Sequence, residues 1–199
     1  ARAAGFARVA RVRQVHGAGV RLAEASAAAP LPCAEPAPEG DALVTAEPGL
    51  ALVVLVADCV PVFLLDPGRR ALGLAHAGWR GTAAGVLEAT VASMASAFGS
   101  HPADLRVHLG PSICGRCYEV GAEVFEALCL PAPAPRARLD LGAELARRAR
   151  ALGVPADAIT RSRHCTRCDA ARFHSYRREG QRAGRMAALL AVAGDAAGR

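Results

Sequence analysis

Three short stretches hold residue types that do chemistry. Ala57-Asp58-Cys59-Val60-Pro61 joins an acid to a thiol, Ala75-His76-Ala77-Gly78-Trp79-Arg80-Gly81 puts a histidine, the only tryptophan and an arginine within five positions, and Gln14-Val15-His16-Gly17 adds a second imidazole. Thiolate and imidazole are zinc ligands, and three of them leave a fourth position open, as catalytic zinc requires. His16, Cys59 and His76 lie 43 and 17 positions apart, which matches no compact zinc motif. They converge only if the segments that carry them are neighbours. The same residues allow two other readings. Cys59 is a nucleophile with His76 as its base, without metal, or Cys59 is a small core residue and each His a satisfied structural side chain.

A second set of thiols forms two C-x-x-C pairs, Cys114-Gly115-Arg116-Cys117 and Cys165-Thr166-Arg167-Cys168, with 47 residues between them. Four such thiols can close a structural zinc site, although the usual gap between pairs is about 15–20 residues. A single pair can be redox-active, and the plain reading is four part-buried thiols. Arg80, in a Gly-flanked turn before a helix, and Arg177, in Phe173-His174-Ser175-Tyr176-Arg177-Arg178-Glu179-Gly180, offer planar guanidinium forks for an anion such as phosphate. Spacing alone reads the second of these stretches as a surface turn.

The elements that must position these residues follow from the hydrophobic pattern. Residues 8–17 alternate as a half-buried strand, and 20–23 return as a hairpin after Gly17-Ala18-Gly19. Residues 50–57 are a continuous apolar run, expected as a strand buried on both faces. With strands at 60–65 and 70–75 they make one strand-rich centre, and Asp58, Cys59 and His76 fall at strand ends. A helix is expected over 82–98, another strand at 105–110, helices at 121–129 and 139–152, and an element of undecided type at 186–192. Helices and strands without regular βαβ alternation argue for the α+β class.

Composition limits the remaining choices. The 199 residues are 52% hydrophobic and 21% charged, a globular balance for one domain over 1–199. No apolar run reaches the 18 residues of a membrane span, and no leader pattern is visible. The net charge of +6 comes entirely from arginine, but only 4% of residues are aromatic, a poor supply for stacking nucleic acid bases. Neither a nucleic acid nor a membrane is therefore expected as a partner. Seven cysteines (33, 59, 114, 117, 129, 165 and 168) without an export signal suit a reducing, cytoplasmic setting rather than a disulfide framework.

Taken together, the motifs around His16, Asp41-Ala42-Leu43-Val44-Thr45, Asp58-Cys59, His76 to Gly81, Gly110-Pro111-Ser112-Ile113, Cys117-Tyr118-Glu119-Val120-Gly121, Cys165-Thr166, and Ser175 to Gly180 with Gly184-Arg185 resemble the YfiH family, also called the multicopper polyphenol oxidase or laccase-domain family. The resemblance runs from about residue 9 to residue 192. It implies a four-layer α-β-β-α sandwich with mixed sheets, shared with the catalytic domain of a bacterial deamidating toxin. It implies zinc held by His16, Cys59 and His76, and phosphorolysis of purine nucleosides (adenosine, inosine and methylthioadenosine) with some adenosine deamination. Asp58, Cys59 and His76 would then be the catalytic set, and Arg80, Arg177 and Gln14 would bind substrate and phosphate. Family members begin with an Arg-x-Gly-Gly-Val-Ser-type segment, and this sequence starts beyond it. The older family label, a copper-dependent laccase, needs several coppers and many imidazoles, and the chain has six His.

Overall fold

The computed structural model describes residues 8–24, 29–30 and 37–192; Cys33 lies outside the described residues. Leu50, Leu52, Val54 and Val56 fall on one face of strand β5 (Leu50–Val56) and are buried, while Leu55 on the opposite face is 46% exposed. The strand expected to be covered on both faces is thus covered fully on one. β5 is central in a four-stranded sheet, between β12 (Met186–Ala191), antiparallel to it, and β1 (Arg8–Arg11), parallel to it, with β3 (Ala29–Pro30) at the edge. The undecided segment at 186–192 is therefore a strand, with its ladder bonds made to β5.

A six-stranded sheet packs against this one. Its order is β11 (Ile159–Arg161), β8 (Arg106–Leu109), β6 (Val60–Asp66), β7 (Ala71–Ala77), β4 (Ala42–Thr45) and β2 (Val20–Leu22). Pairing is parallel at both ends and antiparallel in the middle. Leu43, Leu72 and Leu74 face the buried side of β5 and make the core between the sheets. The other face carries α2 (Val86–Phe98) and α4 (Leu141–Ala151), with Leu87, Met94 and Leu145 against Val62, Leu64 and Val107. Helices, six-stranded sheet and four-stranded sheet thus stack in that order. The class is α+β with mixed sheets; among the described residues no helix covers the outer face of the four-stranded sheet. A small ribbon of β9 (Glu119–Gly121) and β10 (Arg136–Arg138) flanks α3 (Ala122–Ala127). No described helix is long and apolar enough to cross a membrane.

Two expectations, the 20–23 hairpin and an unbroken helix over 82–98, are corrected. Residues 20–22 do not return on β1 as a hairpin; the chain crosses at 12–19 to the other sheet, where β2 runs parallel to β4. The strand-rich centre spans both layers: β6 and β7 pair, and β5 lies in the second. The helix expected over 82–98 breaks at Gly85, whose φ of 84° separates α1 (Trp79–Ala83) from α2, a left-handed conformation that glycine adopts at no steric cost.

Candidate metal centre and active site

His16 stands in the loop between β1 and β2, Cys59 in the bend between β5 and β6, and His76 in β7. The β6–β7 register pairs Val60 with Ala77 and Pro61 with His76, so the hairpin itself brings Cys59 beside His76. The ligand atoms of all three residues lie within 4.8 Å of one another. The two imidazoles meet edge to face, with ring centroids 4.8 Å apart.

Asp41 holds this arrangement. It is fully buried and accepts the backbone N–H of Val15 (3.2 Å), His16 (2.9 Å) and Gly17 (2.7 Å). Its Oδ1 also lies 2.9 Å from His76 Nδ1. One carboxylate thus folds the loop that presents His16 and leaves Nε2 of His76 facing the other ligands, the outer carboxylate–histidine pairing typical of metal sites. Burial disfavours the charged form of Asp41, but the bonds from His76 and from three backbone N–H groups outweigh it and hold the carboxyl below its ordinary range. His16 itself has φ 61°, a left-handed backbone that a non-glycine residue keeps only where its surroundings impose it.

Burial pushes the Cys59 thiol up, but bonds and charge from His16 and His76 bring it down to about 7. Burial likewise opposes protonation of His76, while Asp41 and Cys59 raise it to about 9. The donor set is thus a thiol that ionises near pH 7 between two imidazoles, of which His76 gives up its proton to hold a metal. A Cβ on Gly78 would sit 2.9 Å from Cys59 Sγ and 3.4 Å from His16 Cδ2, so the absence of a side chain there keeps the space between the ligands clear. Donor chemistry and clearance both fit a zinc ion.

Asp58 is also buried and has φ 89°. Its carboxylate accepts Thr166 Oγ1 (2.6 Å), Ser175 Oγ (3.1 Å) and the Arg177 N–H (2.6 Å). Both oxygens are engaged with the 166–177 segment, so Asp58 anchors that segment beside Cys59. Ser175 caps α5 (Tyr176–Glu179). Arg178 donates to the carbonyls of Thr166, Arg167 and Phe173 and so gathers the same loop.

The arginines flank the centre. Arg80 is exposed, with its guanidinium 4.3 Å from the Trp79 ring centroid. Arg177 lies 5.2 Å from the centroid of Tyr118 and donates to the Glu119 carbonyl. Tyr118 feels Cys59, Arg177, Arg80 and Asp58 together; burial and the Cys59 charge push its hydroxyl up to about 12, against the two arginines. It therefore stays a hydrogen-bond donor. Gln14, expected to bind substrate, has its amide on the β5 backbone: its Nε2 donates to the Leu55 carbonyl (2.8 Å) and its Oε1 accepts the Leu55 N–H (2.7 Å). Both polar ends are spent on extending the β1–β5 pairing. Sequence reasoning did not single out Asp41, Tyr118 or Thr166 by role, although each lies in a stretch that resembles the YfiH family.

The family model described as multi-copper polyphenol oxidoreductase laccase matches residues 1–193. A purine nucleoside phosphorylase of Streptomyces coelicolor is 43% identical over 192 residues, covering 92% of this chain and 75% of that protein. The adenosine deaminase RL5, from an unknown prokaryotic organism, is 40% identical over 163 residues, 76% of this chain and 62% of that protein. The crystal structure of YlmD from Geobacillus stearothermophilus superposes with a TM-score of 0.85 at 34% identity, covering 94% of this chain and 74% of the other.

Proposed function

The chain belongs to the multi-copper polyphenol oxidoreductase laccase family, and from that premise we propose that it is a zinc-dependent purine nucleoside phosphorylase. Adenosine, inosine or methylthioadenosine would react with phosphate to give the free base and a ribose 1-phosphate, with adenosine deamination as a second activity. The observation that carries this reading is the convergence of His16, Cys59 and His76 within 4.8 Å, next to two guanidinium groups and a protonated phenol. The names of the relatives supply the substrate class.

In phosphorolysis a phosphate oxygen bonds to the anomeric carbon as the glycosidic C–N bond breaks, and the departing base takes up a proton. Arg80 and Arg177 are the groups suited to hold the phosphate, because guanidinium forks match its oxygens and never lose their charge. Tyr118, against Arg177 and within the field of Arg80, can donate to the base or the ribose. Asp58 holds the 166–177 segment and with it the Arg177 backbone. His16, Cys59 and His76 would hold zinc, which when bound supplies Lewis acidity at its open coordination position.

Copper oxidase chemistry fits the donors less well. Among the described residues the potential ligand clusters are two imidazoles with one thiol, and four thiols; coppers of a laccase need many more imidazoles. A second reading has one observation in its favour. Cys59, His76 and Asp41 form a thiol–imidazole–carboxylate series, the geometry of a cysteine hydrolase. Metal analysis separates the two, since a nucleophile is free to be alkylated at one equivalent of iodoacetamide and a ligand is protected.

The test is adenosine incubated with the purified protein, with and without phosphate, and resolved by chromatography. Adenine and ribose 1-phosphate formed only with phosphate are expected. Inosine formed equally in both would make the protein a deaminase, and no turnover in the zinc-loaded protein would reject the proposal.

A further inference from the structure

The four cysteines of the C-x-x-C pairs come together although 47 residues separate the pairs in sequence. Ser112 bridges Cys165 in parallel register, and Thr166 N–H donates to the Ser112 carbonyl at 3.0 Å. This pairing lays one C-x-x-C turn against the other. Each turn closes on itself: Cys117 N–H bonds the Cys114 carbonyl at 2.9 Å, and Asp169 N–H bonds the Cys165 carbonyl at 3.1 Å. All four Sγ atoms then lie within 4.8 Å of one another, and Cys117 and Cys168 approach to 3.3 Å.

We propose that Cys114, Cys117, Cys165 and Cys168 form a closed structural zinc site, distinct from the His16–Cys59–His76 centre. Four thiolates around one ion at a Zn–S distance of about 2.3 Å would stand roughly 3.8 Å apart, a value that the 3.3 Å approach of Cys117 to Cys168 and the 4.8 Å limit on the whole cluster admit. The backbone supports the charge: Cys114 N–H points at Cys165 Sγ from 3.3 Å. A single disulfide would use two of the four sulfurs and leave the other pair unexplained.

The site also has a mechanical role. The 112–118 turn leads directly into Tyr118, and Ile113 N–H bonds the Asp58 carbonyl at 3.0 Å. On the other side Cys165 is followed by Thr166, whose hydroxyl holds Asp58 Oδ1 at 2.6 Å. A zinc across the two turns would tie both segments that close on Asp58. This inference does not depend on the nucleoside reading.

The test uses the full chain, reduced under argon, loaded with excess zinc and desalted, with zinc counted per chain. Wild type should hold two. Cys59→Ala should hold one, and the pair Cys117→Ser with Cys168→Ser should also hold one. Cobalt-loaded Cys59→Ala should show stronger thiolate-to-cobalt charge-transfer absorption than the cobalt-loaded double variant, whose remaining centre has one thiolate. One zinc in wild type, unchanged in the double variant, would overturn the proposal; so would loss of two titratable thiols on air exposure in a protein that takes up no second metal. Two zinc ions in Cys59→Ala would instead count against the His16–Cys59–His76 centre alone, so the two assignments fail separately. If the double variant does not fold, the cobalt spectrum of Cys59→Ala decides.

Discussion

Asp41 is the residue on which the centre turns. Asn at this position keeps the size but offers one acceptor oxygen where the carboxylate offers two, to four donors. We expect Asp41→Asn to weaken zinc binding by about 10–100-fold, the usual effect of losing an outer partner of a metal-bound imidazole, as measured by competition with a chromophoric chelator. Unchanged affinity would reduce Asp41 to a loop cap. Arg80 has its guanidinium face on Trp79 and its donors toward solvent. Arg80→Lys keeps the charge but loses the fork. Losing one charge-assisted bond to phosphate costs about 1.5–3 kcal/mol, so the apparent KM for phosphate should rise by roughly one to two decades with nucleoside KM nearly constant. A parallel rise in both constants, with a fall in Tm, would mean that Arg80 only holds the loop. His16, Cys59 and His76 were legible in the sequence as residue types, because thiolate and imidazole carry their chemistry wherever they stand. Asp41 was not, because most of its donors are backbone N–H groups, which leave no trace in side-chain identity. The partner of Gln14 was hidden for the same reason, since it is the Leu55 backbone.

At the scale of elements, one guanidinium joins the helical layer. Arg148 in α4 donates to Glu144 of its own helix (2.7 Å), Glu88 of α2 (3.2 Å), the Thr82 carbonyl of α1 (2.9 Å) and the Leu128 carbonyl just after α3 (3.3 Å). In the sequence Arg148 is only an arginine near the end of a helix, since its contacts with other segments cannot be read from one helix. Arg148→Met retains the apolar stem and removes the bonds. A cost of about 1.5–3 kcal/mol corresponds to a Tm lower by about 3–12 °C at about 2–4 °C per kcal/mol, checked by calorimetry. A change under a degree would show that water replaces the network without loss. The strands show a similar limit. Apolar alternation located β5, β6, β7 and β8, but sheet membership was hidden, because a run of valine and leucine is equally suited to either layer. What divides β5 from β6 is the bend at Asp58, with φ 89°.

For the whole molecule, buried carboxylates set the response to acid. Asp41 and Glu144 are both held below their ordinary values of 3.8 and 4.5, Asp41 by His76 and three N–H groups against burial, and Glu144 by Arg147 and Arg148. Carboxyls depressed in the folded state contribute stability that is complete above their unfolded values and is lost as pH falls through the folded ones. Tm should therefore be nearly level from about pH 7 to about pH 5 and fall steeply below about pH 4. Asp41→Asn should flatten that fall, as followed by thermal melts across the range. An equal acid slope in the variant would remove Asp41 from the account.

The dependence of Asp58 on the 166–177 segment also sets a timetable. His16, Asp41, Cys59 and His76 have all been synthesised once β7 ends at Ala77, but Arg177 follows 100 positions later. At about 5–20 residues per second, that interval is about 5–20 s. For that time a nascent chain already has the three proposed metal ligands and not yet the segment that closes beside them. Order of synthesis thus offers the ion an open door before the wall is built.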